Sequence, residues 1–267
     1  MEGMTLRAIT RATIALLASA AVLGSAGCAP EPNDASGAST SSSSSSTSVA
    51  PATTEPSTPS PTAPAFDATA NSTDDPMSIW VVSNKLRPLQ PLGFAPTDLV
   101  MPEGVENEFT QPLREPAARA AEAFIAGAAD AGLDVRIISA YRDYATQVSL
   151  YDSYVARDGQ EAADTYSARP GFSEHQTGLV IDLDDHGDCY LSACFGDTPA
   201  GVWLAEHAAE YGFLVRYPDG KQEVTGFMPE PWHFRFVGPD LAQHLRDTGV
   251  TTLEEFFGLP AAPGYAS

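Results

Sequence analysis

Two short segments of the chain carry the residue types that bind and use a metal ion. His175 and Asp182 lie in the segment SEHQTGLVID, and Glu230 and His233 lie further along in EPWH. Two histidines and an aspartate are ligands that zinc accepts, and a catalytic zinc has three protein ligands and leaves its fourth position to water. The carboxylate of Glu230 is then free to take a proton from that water. The pattern predicts a hydrolase with one zinc ion.

The spacing within the first segment requires the chain to turn. Side chains alternate between the two faces of a straight strand, so an odd separation would place His175 and Asp182 on opposite faces. We therefore predict a turn at Thr177–Gly178, where glycine tolerates the bend. Between Ile181 and Leu183, a carboxylate is costly to bury unless it is paired or bound to a metal. This cost favours a ligand role for Asp182, with a solvated or capping aspartate at a strand end as the alternative.

The assignment of His233 as a ligand depends more on the residues around it. A lone histidine between Trp232 and Phe234 is more often a core residue than a ligand, but the nearby carboxylate of Glu230 favours a site. Pro231 cannot donate to a strand ladder and often marks an edge or a bulge. We expect a bend there that directs Glu230 and His233 towards the same ion.

Other metal-binding patterns fit this sequence less well. The helical His-Glu-x-x-His layout is absent from the sequence. The acidic run that begins at Asp182 starts with the spacing of a calcium-binding EF-hand loop, but His186 occupies its fifth position. Ala193 stands where that loop needs a bidentate glutamate. The remaining histidines are predicted to be surface residues rather than ligands: His186, His207 and His244.

Arg142 is the residue that bears on the kind of substrate. It follows a predicted strand over 134–140, and an arginine at a strand end offers a fork of donors to a carboxylate. If Arg142 reaches the zinc site, it would hold the C-terminal carboxylate of a peptide, and the enzyme would be a carboxypeptidase. A surface arginine paired with one of the many acidic residues is the alternative that spacing leaves open.

The N-terminal part of the chain predicts export. Residues 1–27 have a basic start, an apolar run and a small-residue end, which are the marks of a signal peptide. Cys28 follows directly, as in bacterial lipoproteins, whose cysteine becomes the lipidated N-terminus, although Ser25 stands where those proteins usually have leucine. We expect a lipid anchor at the outer face of the cytoplasmic membrane. Secretion with an unmodified Cys28 is the alternative.

Residues 28–75 predict a disordered tether. They are rich in serine, threonine, proline and alanine and contain no lysine or arginine. Such a segment cannot bury enough apolar surface to fold; an unselected disordered tail is the alternative.

The formal net charge of the whole chain is −21, which argues against a nucleic-acid partner because such partners require a basic patch.

The chain has only two cysteines besides Cys28. Cys189 and Cys194 lie close together in a chain that is predicted to be exported, which favours a small-loop disulfide. Metal binding is the alternative, but the pair is a weak zinc pattern because no further thiols accompany it.

The pattern of apolar residues predicts one α+β domain over 76–258 and a flexible tail over 259–267. The predicted helices cover 117–131, 144–157, 202–211, 239–247 and 252–256. The predicted strands cover 79–82, 134–140, 179–183, 213–217 and 232–237.

The motifs in this order resemble the VanY-type D-alanyl-D-alanine carboxypeptidases, which are zinc peptidases of the bacterial cell wall. The resemblance covers roughly residues 139–238 and depends on several motifs together: SAYRDYATQ (139–147), PGFSEHQTGLVIDL (170–183), Trp203-Leu204, Tyr211-Gly212-Phe213, Arg216-Tyr217-Pro218, Gly220-Lys221, Thr225-Gly226 and EPWHFR (230–235).

The resemblance implies a fold of the hedgehog and D,D-peptidase kind, with a small antiparallel sheet flanked by helices. It implies that the substrates are peptidoglycan stem peptides, from which the enzyme removes the terminal D-alanine. It also implies that Glu230 is the general base and that the zinc ligands are His175, Asp182 and His233.

The same resemblance implies the residues that contact the substrate. Arg142 would hold the terminal carboxylate or stabilise the oxyanion, and Ser173 and Gln147 would hydrogen-bond the peptide. Three features depart from the family pattern. Val180 stands where many relatives have alanine, and Phe227-Met228-Pro229 precedes Glu230 where relatives usually have an aromatic and other residues. The insertion that carries Cys189–Cys194 is not typical of the family. That insertion is expected near the site, where it would alter the preferred substrate length.

Three other activities stay open at this point. An L,D-carboxypeptidase that trims tetrapeptide stems would use the same residues. A dipeptidase acting on free D-Ala-D-Ala agrees less well with a tether. A non-catalytic, zinc-stabilised wall-binding module would have no use for Glu230 and would be expected to show four protein ligands. We expect the protein to be a monomer.

Overall fold

The computed structural model describes residues 66–266, and these residues fall within one compact unit of the chain. Its helices are α1 (Glu115–Asp130), α2 (Tyr144–Asp158), α3 (Gln160–Tyr166), α4 (Pro199–His207), α5 (Gln222–Thr225), α6 (Pro239–Thr248) and α7 (Leu253–Phe257). Its strands are β1 (Leu99–Val100), β2 (Leu113–Arg114), β3 (Arg136–Ser139), β4 (Val180–Asp184), β5 (Phe213–Tyr217) and β6 (Glu230–Phe236). Short 3-10 helices cover Glu174–Thr177, Ala193–Asp197 and Ala208–Tyr211.

The main sheet has four strands in the order β3-β4-β6-β5, and every neighbouring pair is antiparallel. β1 and β2 form a second, two-stranded antiparallel sheet. Helices cover the main sheet, and α1 contributes the central aromatic contact, because the ring of Phe124 packs against those of Phe213 and Phe234 at centroid distances of 5.6 Å. The predicted α+β fold with a small antiparallel sheet flanked by helices is confirmed.

The folded part of the chain begins earlier than predicted. The boundary at 75/76 assigned Phe66 to a disordered tether, but its ring stacks on His244 at a centroid distance of 4.3 Å and on Trp80 at 5.7 Å. The amide of Val82 also donates to the carbonyl of Thr73. Residues 66–75 therefore belong to the domain, because an aromatic side chain and backbone hydrogen bonds attach them to it.

The predicted strand over 79–82 is absent from the described residues. The chain there has an irregular backbone, although Trp80, Val81 and Val82 are buried. The guanidinium of Arg235 donates to the carbonyls of Ile79 and Val81. A buried arginine thus provides the partners that a neighbouring strand would have supplied.

The predicted flexible tail over 259–267 is also wrong for the residues that the structure describes. The amide of Ala262 donates to the carbonyl of Val224, and Ala262 is buried. The hydroxyl of Tyr265 accepts a hydrogen bond from the amide of Arg169, whose guanidinium lies 4.1 Å from the centre of the tyrosine ring. Residues 262–265 thus pack near the loop that precedes the turn carrying His175.

The predicted signal peptide (1–27), Cys28 and the first part of the predicted tether lie outside the described residues. Between residues 66 and 266, no helix combines the length and the apolar character that crossing a membrane requires.

Candidate metal centre and cleft

The strand register places the candidate ligands side by side. In the main sheet, Asp182 on β4 pairs with Ser139 on β3 and with His233 on β6. These three residues form one row across three neighbouring strands. Because the row fixes Asp182 against His233 through backbone hydrogen bonds, two of the three candidate ligands are set by the sheet itself.

The third ligand reaches the row through the predicted turn. The 3-10 helix Glu174–Thr177 ends at Gly178, whose φ of 68° is in the left-handed region. A Cβ atom at Gly178 would lie 3.0 Å from Arg114 Cγ, so a side chain has little room there. The turn brings Nε2 of His175 to 3.3 Å from Oδ2 of Asp182.

Glu230 reaches the same site because β6 is irregular at its start. Glu230 pairs with Tyr217 while Phe234 pairs with Val215, so β6 has extra residues opposite β5. Such a bulge bends a strand and redirects its side chains. Nδ1 of His233 lies 3.1 Å from Oδ1 of Asp182 and 3.4 Å from Oε2 of Glu230. The predicted bend around Pro231 brings both side chains to one place.

The three candidate ligands fit a zinc ion in number, type and position. One donor atom from each of His175, Asp182 and His233 lies within 4.8 Å of the others, and all three residues are buried. Nδ1 of His175 lies 2.7 Å from the carbonyl oxygen of Ala140. This contact suits an imidazole that donates through Nδ1 and presents the Nε2 lone pair to a metal, which is the usual arrangement around zinc-bound histidines.

One oxygen in the cluster is left without a hydrogen bond. Within the described residues, Oδ1 of Asp182 is buried and accepts no hydrogen bond. Buried carboxylate oxygens are normally hydrogen-bonded or bound to a metal. The donor set and this unsatisfied oxygen both match what a three-ligand zinc site requires.

The acidic groups of the cluster have strongly altered pKa values. Burial raises the pKa of Asp182, but its interactions with His175 and then His233 outweigh that effect and hold the pKa well below its usual range. Burial, followed by the charge of Asp182, raises the pKa of Glu230 well above its usual range, while Arg142 opposes this rise. Two carboxylates with opposite shifts in one cleft are typical of a catalytic site.

Arg142 lies beside the ligands and is held in a fixed position. Its guanidinium donates from Nη1 to Oε1 of Gln147 at 2.8 Å and from Nη2 to Oγ of Ser139 at 3.1 Å. Its backbone amide donates to the carbonyl of His175. Arg142 lines the cleft, so the structure brings it to the metal ligands and not to the protein surface.

Gln147 lies behind Arg142 instead of facing the cleft. Its side chain is buried, its Oε1 accepts from Arg142, and its Nε2 donates to the carbonyl of Ala168 at 2.6 Å. A direct hydrogen bond to substrate, as the family resemblance implies, would require one of these bonds to open. In this structure Gln147 orients the arginine and ties helix α2 to the loop at Ala168.

One cleft of about 640 Å³ contains the three candidate ligands together with Glu230, Arg142 and Ser173. Ser173, for which the family resemblance implies a substrate contact, is buried at its wall. The lining is Arg142, Leu150, Tyr154, Arg157, Tyr166, Ser167, Ala168, Ser173, Glu174, His175, Asp182, Leu191, Ser192, Ala193, Tyr217, Phe227, Met228, Glu230, Trp232 and His233.

Several lining residues were not predicted from the sequence. Tyr217 is buried, and its ring centroid lies 4.8 Å from that of His233. Its only sequence signal is its place in the motif Arg216-Tyr217-Pro218. Helix α3, which contributes Tyr166 to the lining, was not predicted either, because its sequence is mostly polar and has no clear apolar period.

A buried ion-pair network, which we call the arginine–glutamate network, lies next to the site. It consists of Glu174, Arg216, Arg235 and Glu254, all four of them buried. Arg216 contacts Glu174 at 3.0 Å and Glu254 at 2.7 Å, and Arg235 contacts Glu174 at 2.9 Å. Glu174 immediately precedes a ligand, so the network fixes the turn that presents His175.

The predicted disulfide between Cys189 and Cys194 is confirmed, with a Cα–Cα distance of 5.5 Å. The histidines predicted not to be ligands lie elsewhere among the described residues. His207 stacks on Trp203, His244 stacks on Phe66, and His186 is 3.9 Å from Glu106. None of these three belongs to the cluster of candidate ligands.

Comparison with known sequences places these features in a family. The sequence model of the VanY family, described as D-alanyl-D-alanine carboxypeptidase, matches residues 110–239. YodJ from Bacillus subtilis (strain 168), a carboxypeptidase by name, is 36% identical over 189 residues, which cover 68% of this chain and 68% of YodJ.

Solved structures agree with the sequence match. The LD-carboxypeptidase LdcB, whose structure concerns peptidoglycan recognition, superposes with a TM-score of 0.64 at 36% identity, covering 68% of this chain and 87% of LdcB. The vancomycin-resistance D,D-pentapeptidase VanY in complex with Zn(II) superposes with a TM-score of 0.56 at 27% identity, covering 66% of this chain and 97% of VanY.

Proposed function

The chain belongs to the VanY family of D-alanyl-D-alanine carboxypeptidases, and we propose that it is a zinc-dependent enzyme that hydrolyses the terminal D-alanine from peptidoglycan stem peptides. The observation that carries this proposal is the single cleft that combines three zinc-type ligands, a separate glutamate and a fixed arginine. Three ligands with a separate carboxylate suit catalysis better than a structural zinc site, which normally has four protein ligands.

His175, Asp182 and His233 would hold one zinc ion. When bound, zinc polarises the scissile carbonyl and lowers the pKa of an attacking water. Ala140 supports this arrangement because its carbonyl orients the ring of His175. The similarity to a VanY enzyme solved with Zn(II) supports zinc as the metal.

Glu230 would act as the general base and then as the general acid. Its Oε2 lies 3.4 Å from Nδ1 of His233, and so beside the ligand set. Burial raises the pKa of Glu230 and favours proton uptake. The carboxylate would accept one proton from the water that attacks the carbonyl carbon. It would then pass that proton to the nitrogen of the departing D-alanine as the C–N bond breaks.

Arg142 would bind the C-terminal carboxylate of the substrate or the oxyanion that forms on the scissile carbonyl. Its hydrogen bonds to Gln147 and Ser139 hold the guanidinium before substrate arrives, so little side-chain freedom is lost on binding. A requirement for a free C-terminal carboxylate is what distinguishes a carboxypeptidase from an endopeptidase. Ser173, buried at the cleft wall, would hydrogen-bond the peptide.

A second candidate is L,D-carboxypeptidase activity on tetrapeptide stems. The specific observation that favours it is the likeness to LdcB, which has a higher TM-score and identity than the likeness to VanY. The same residues would serve both reactions, since both remove one terminal D-alanine from a peptide with a free carboxylate.

The experiment that tests this proposal compares substrates directly. Zinc-loaded protein is incubated with a pentapeptide stem, a tetrapeptide stem and free D-Ala-D-Ala, and released D-alanine is followed by mass spectrometry. Release from the pentapeptide supports the D,D-carboxypeptidase. Release only from the tetrapeptide supports the L,D enzyme, and release only from the dipeptide supports a dipeptidase. No release from any of them with zinc bound would overturn the proposed activity and favour a wall-binding module.

We further propose that the enzyme is held outside the cytoplasmic membrane by lipidation of Cys28, with the following residues as a tether. The basis is the sequence of residues 1–65 alone. Mass spectrometry of the N-terminal peptide should show a diacylglyceryl group on Cys28. A Cys28→Ser variant should appear in the culture medium; equal membrane retention of both forms would contradict the anchor.

A further inference from the structure

We infer that the disulfide-closed loop Cys189–Cys194 is a wall of the substrate cleft that recognises the peptide on the N-terminal side of the scissile bond, through an apolar contact at Leu191. This inference deepens the proposed peptidase function and depends on it. The loop follows β4, the strand that carries Asp182, so it leaves the metal centre directly.

The loop is fixed to the domain on both sides of its tip. On one side, the hydroxyl of Tyr190 is 3.5 Å from both carboxylate oxygens of Glu108, and its ring lies 5.9 Å from the guanidinium of Arg136. On the other side, Phe195 is buried in the hydrophobic core directly after Cys194. The disulfide joins the two sides at a Cα–Cα distance of 5.5 Å.

Two glycines show how tightly the end of the loop packs against its surroundings. A Cβ atom at Gly196 would lie 3.0 Å from Cβ of Pro231, the residue between Glu230 and Trp232 on β6. A Cβ atom at Gly201 would lie 1.9 Å from the carbonyl oxygen of Phe195, so helix α4 meets the loop backbone at a position where only glycine fits. The loop is thereby attached to the strand that carries the general base.

The tip of the loop faces the cleft. Leu191, Ser192 and Ala193 line the same cleft as Glu230 and His233. The side chain of Leu191 is apolar yet 45% exposed, and its φ of 47° is in a region that leucine rarely adopts. Costly backbone conformations of this kind occur mainly at active sites and ligand contacts, and Leu191 adopts one at the wall of the cleft.

The strand register indicates which part of the substrate meets this wall. Arg142 follows the Ser139 end of β3, whereas the loop contacts Arg136, at the other end of that strand, through Tyr190. Asp182 pairs with Ser139, and Asp184, which pairs with Arg136, precedes the loop. A peptide whose terminal carboxylate is held by Arg142 and whose scissile bond lies at the ligands therefore extends its remaining residues towards the loop. The occupant we assign is the aliphatic part of the residues that precede the scissile bond.

The test compares long and short substrates in a Leu191→Gly variant. Glycine suits the backbone angle at this position, so the change removes the side chain without adding strain. The ratio of kcat/KM for a full stem peptide to kcat/KM for an N-acetylated minimal peptide with the same C-terminus should fall by about tenfold, the usual effect of losing one apolar contact. Val202→Ala is the matched control, because Val202 is 43% exposed on α4 and lies outside the cleft lining.

A second variant and a binding measurement keep the inference separate from the proposed function. The paired change Cys189→Ser and Cys194→Ser should lower the same ratio of kcat/KM values, because the disulfide then no longer holds the tip of the loop in place. Affinities of both peptides for the zinc-loaded Glu230→Gln protein report recognition without turnover, and Leu191→Gly in that background should weaken stem binding selectively. Equal effects on both peptides, no effect on either, or no binding of any peptide would overturn the inference. Selective binding without hydrolysis in the wild type would overturn only the proposed function.

Discussion

Two clusters of buried charge lie next to each other in this domain, and they differ in how their charges are balanced. The arginine–glutamate network of Glu174, Arg216, Arg235 and Glu254 pairs two positive with two negative side chains. The candidate metal cluster, which we call the metal cluster below, places the carboxylates of Asp182 and Glu230 beside two histidines, with Arg142 as its cation. The first cluster can be buried as it stands, whereas the second has the charge and donor pattern of a site completed by a cation.

The pKa shifts report the same difference. Burial alone would lower the pKa of Arg216, but Glu174 and Glu254 raise it well above its usual range. Burial alone would raise the pKa of Glu254, but Arg216 lowers it. In the metal cluster, burial and the charge of Asp182 act together on Glu230 and raise its pKa. The pKa shifts of Arg216 and Glu254 keep that pair charged, whereas the shift of Glu230 prepares it to accept a proton.

Chain neighbours connect the two clusters. Glu174 precedes His175, and Arg235 lies two positions after His233 on β6. The two ion pairs made by Glu174, with Arg216 and with Arg235, therefore fix backbone segments that also carry candidate ligands. The network thus holds the candidate ligands in position, whereas the candidate metal cluster supplies the groups for the proposed chemistry, and mutations can separate these two roles.

The largest expected effect is on turnover, in the metal cluster. Glu230→Gln keeps the shape of the side chain but removes the general base, so kcat should fall by about 10³-fold. Zinc content should stay near that of the wild type because Glu230 is not one of the three ligands. D-alanine release and metal analysis are measured on the same sample, with the exposed Glu223→Gln as the control. Near-normal turnover with zinc bound would remove Glu230 from the mechanism.

The next effect is on stability, in the arginine–glutamate network. Glu254→Gln leaves Arg216 without one of its carboxylates in the protein interior, so the free energy of unfolding should fall by about 3–5 kcal/mol. Urea denaturation measures this change. The neighbouring Glu255→Gln is the control, because Glu255 is exposed and pairs with Lys221 at the surface; we expect about 1 kcal/mol or less there. Equal losses in the two variants would show that the buried network has no special role.

The effect of zinc on the free energy of unfolding should distinguish the metal cluster from the arginine–glutamate network. At a zinc concentration of 100 times Kd, the free energy of unfolding of the wild type should rise by about 2.7 kcal/mol, because zinc binds the folded state. In Glu254→Gln the increment should be similar, while in Asp182→Asn it should disappear. Thermal or urea unfolding with and without zinc measures both increments. A zinc increment that survives in Asp182→Asn would place the ion elsewhere.

The smallest expected effect concerns Gln147, which holds Arg142 from behind. Gln147→Ala removes the hydrogen bond to Nη1 of Arg142, so the guanidinium becomes less well ordered. We expect kcat/KM to fall by about tenfold, mainly through KM, because one charge-assisted hydrogen bond contributes on the order of 1.5 kcal/mol. Steady-state kinetics separates KM from kcat, and the exposed Gln160→Ala is the control. A loss confined to kcat would indicate a different role.

The metal cluster could be predicted from the sequence because few residue types can do its chemistry. Two histidines and an aspartate in apolar surroundings have few alternative uses, and Gly178 and Pro231 indicated where the chain bends. The arginine–glutamate network could not be predicted, because Arg216 and Glu254 are far apart in sequence and only the fold brings them together. The strand predicted at 79–82 does not form for a similar reason, because Arg235 donates hydrogen bonds to the carbonyls of Ile79 and Val81.

The two ends of the domain were also predicted wrongly, because their contacts are made with residues that are distant in sequence. Phe66 was assigned to a polar tether and the residues after Gly258 to a flexible tail, because neither segment shows the apolar period of a helix or a strand. In each segment, one aromatic side chain attaches the backbone to the domain. Phe66 stacks on His244, and Tyr265 packs on Arg169. Contacts of this kind depend on the partner surface, which local composition does not report.

The most direct test of the account is a zinc titration of the metal-free protein with D-alanine release as the readout. In the wild type, activity on the preferred stem peptide should rise in proportion to added zinc and level off at one ion per chain. In Asp182→Asn, activity should stay at background over the same range of zinc. Full activity in the metal-free protein, or a normal titration in Asp182→Asn, would contradict the claim that this cluster is the catalytic metal centre.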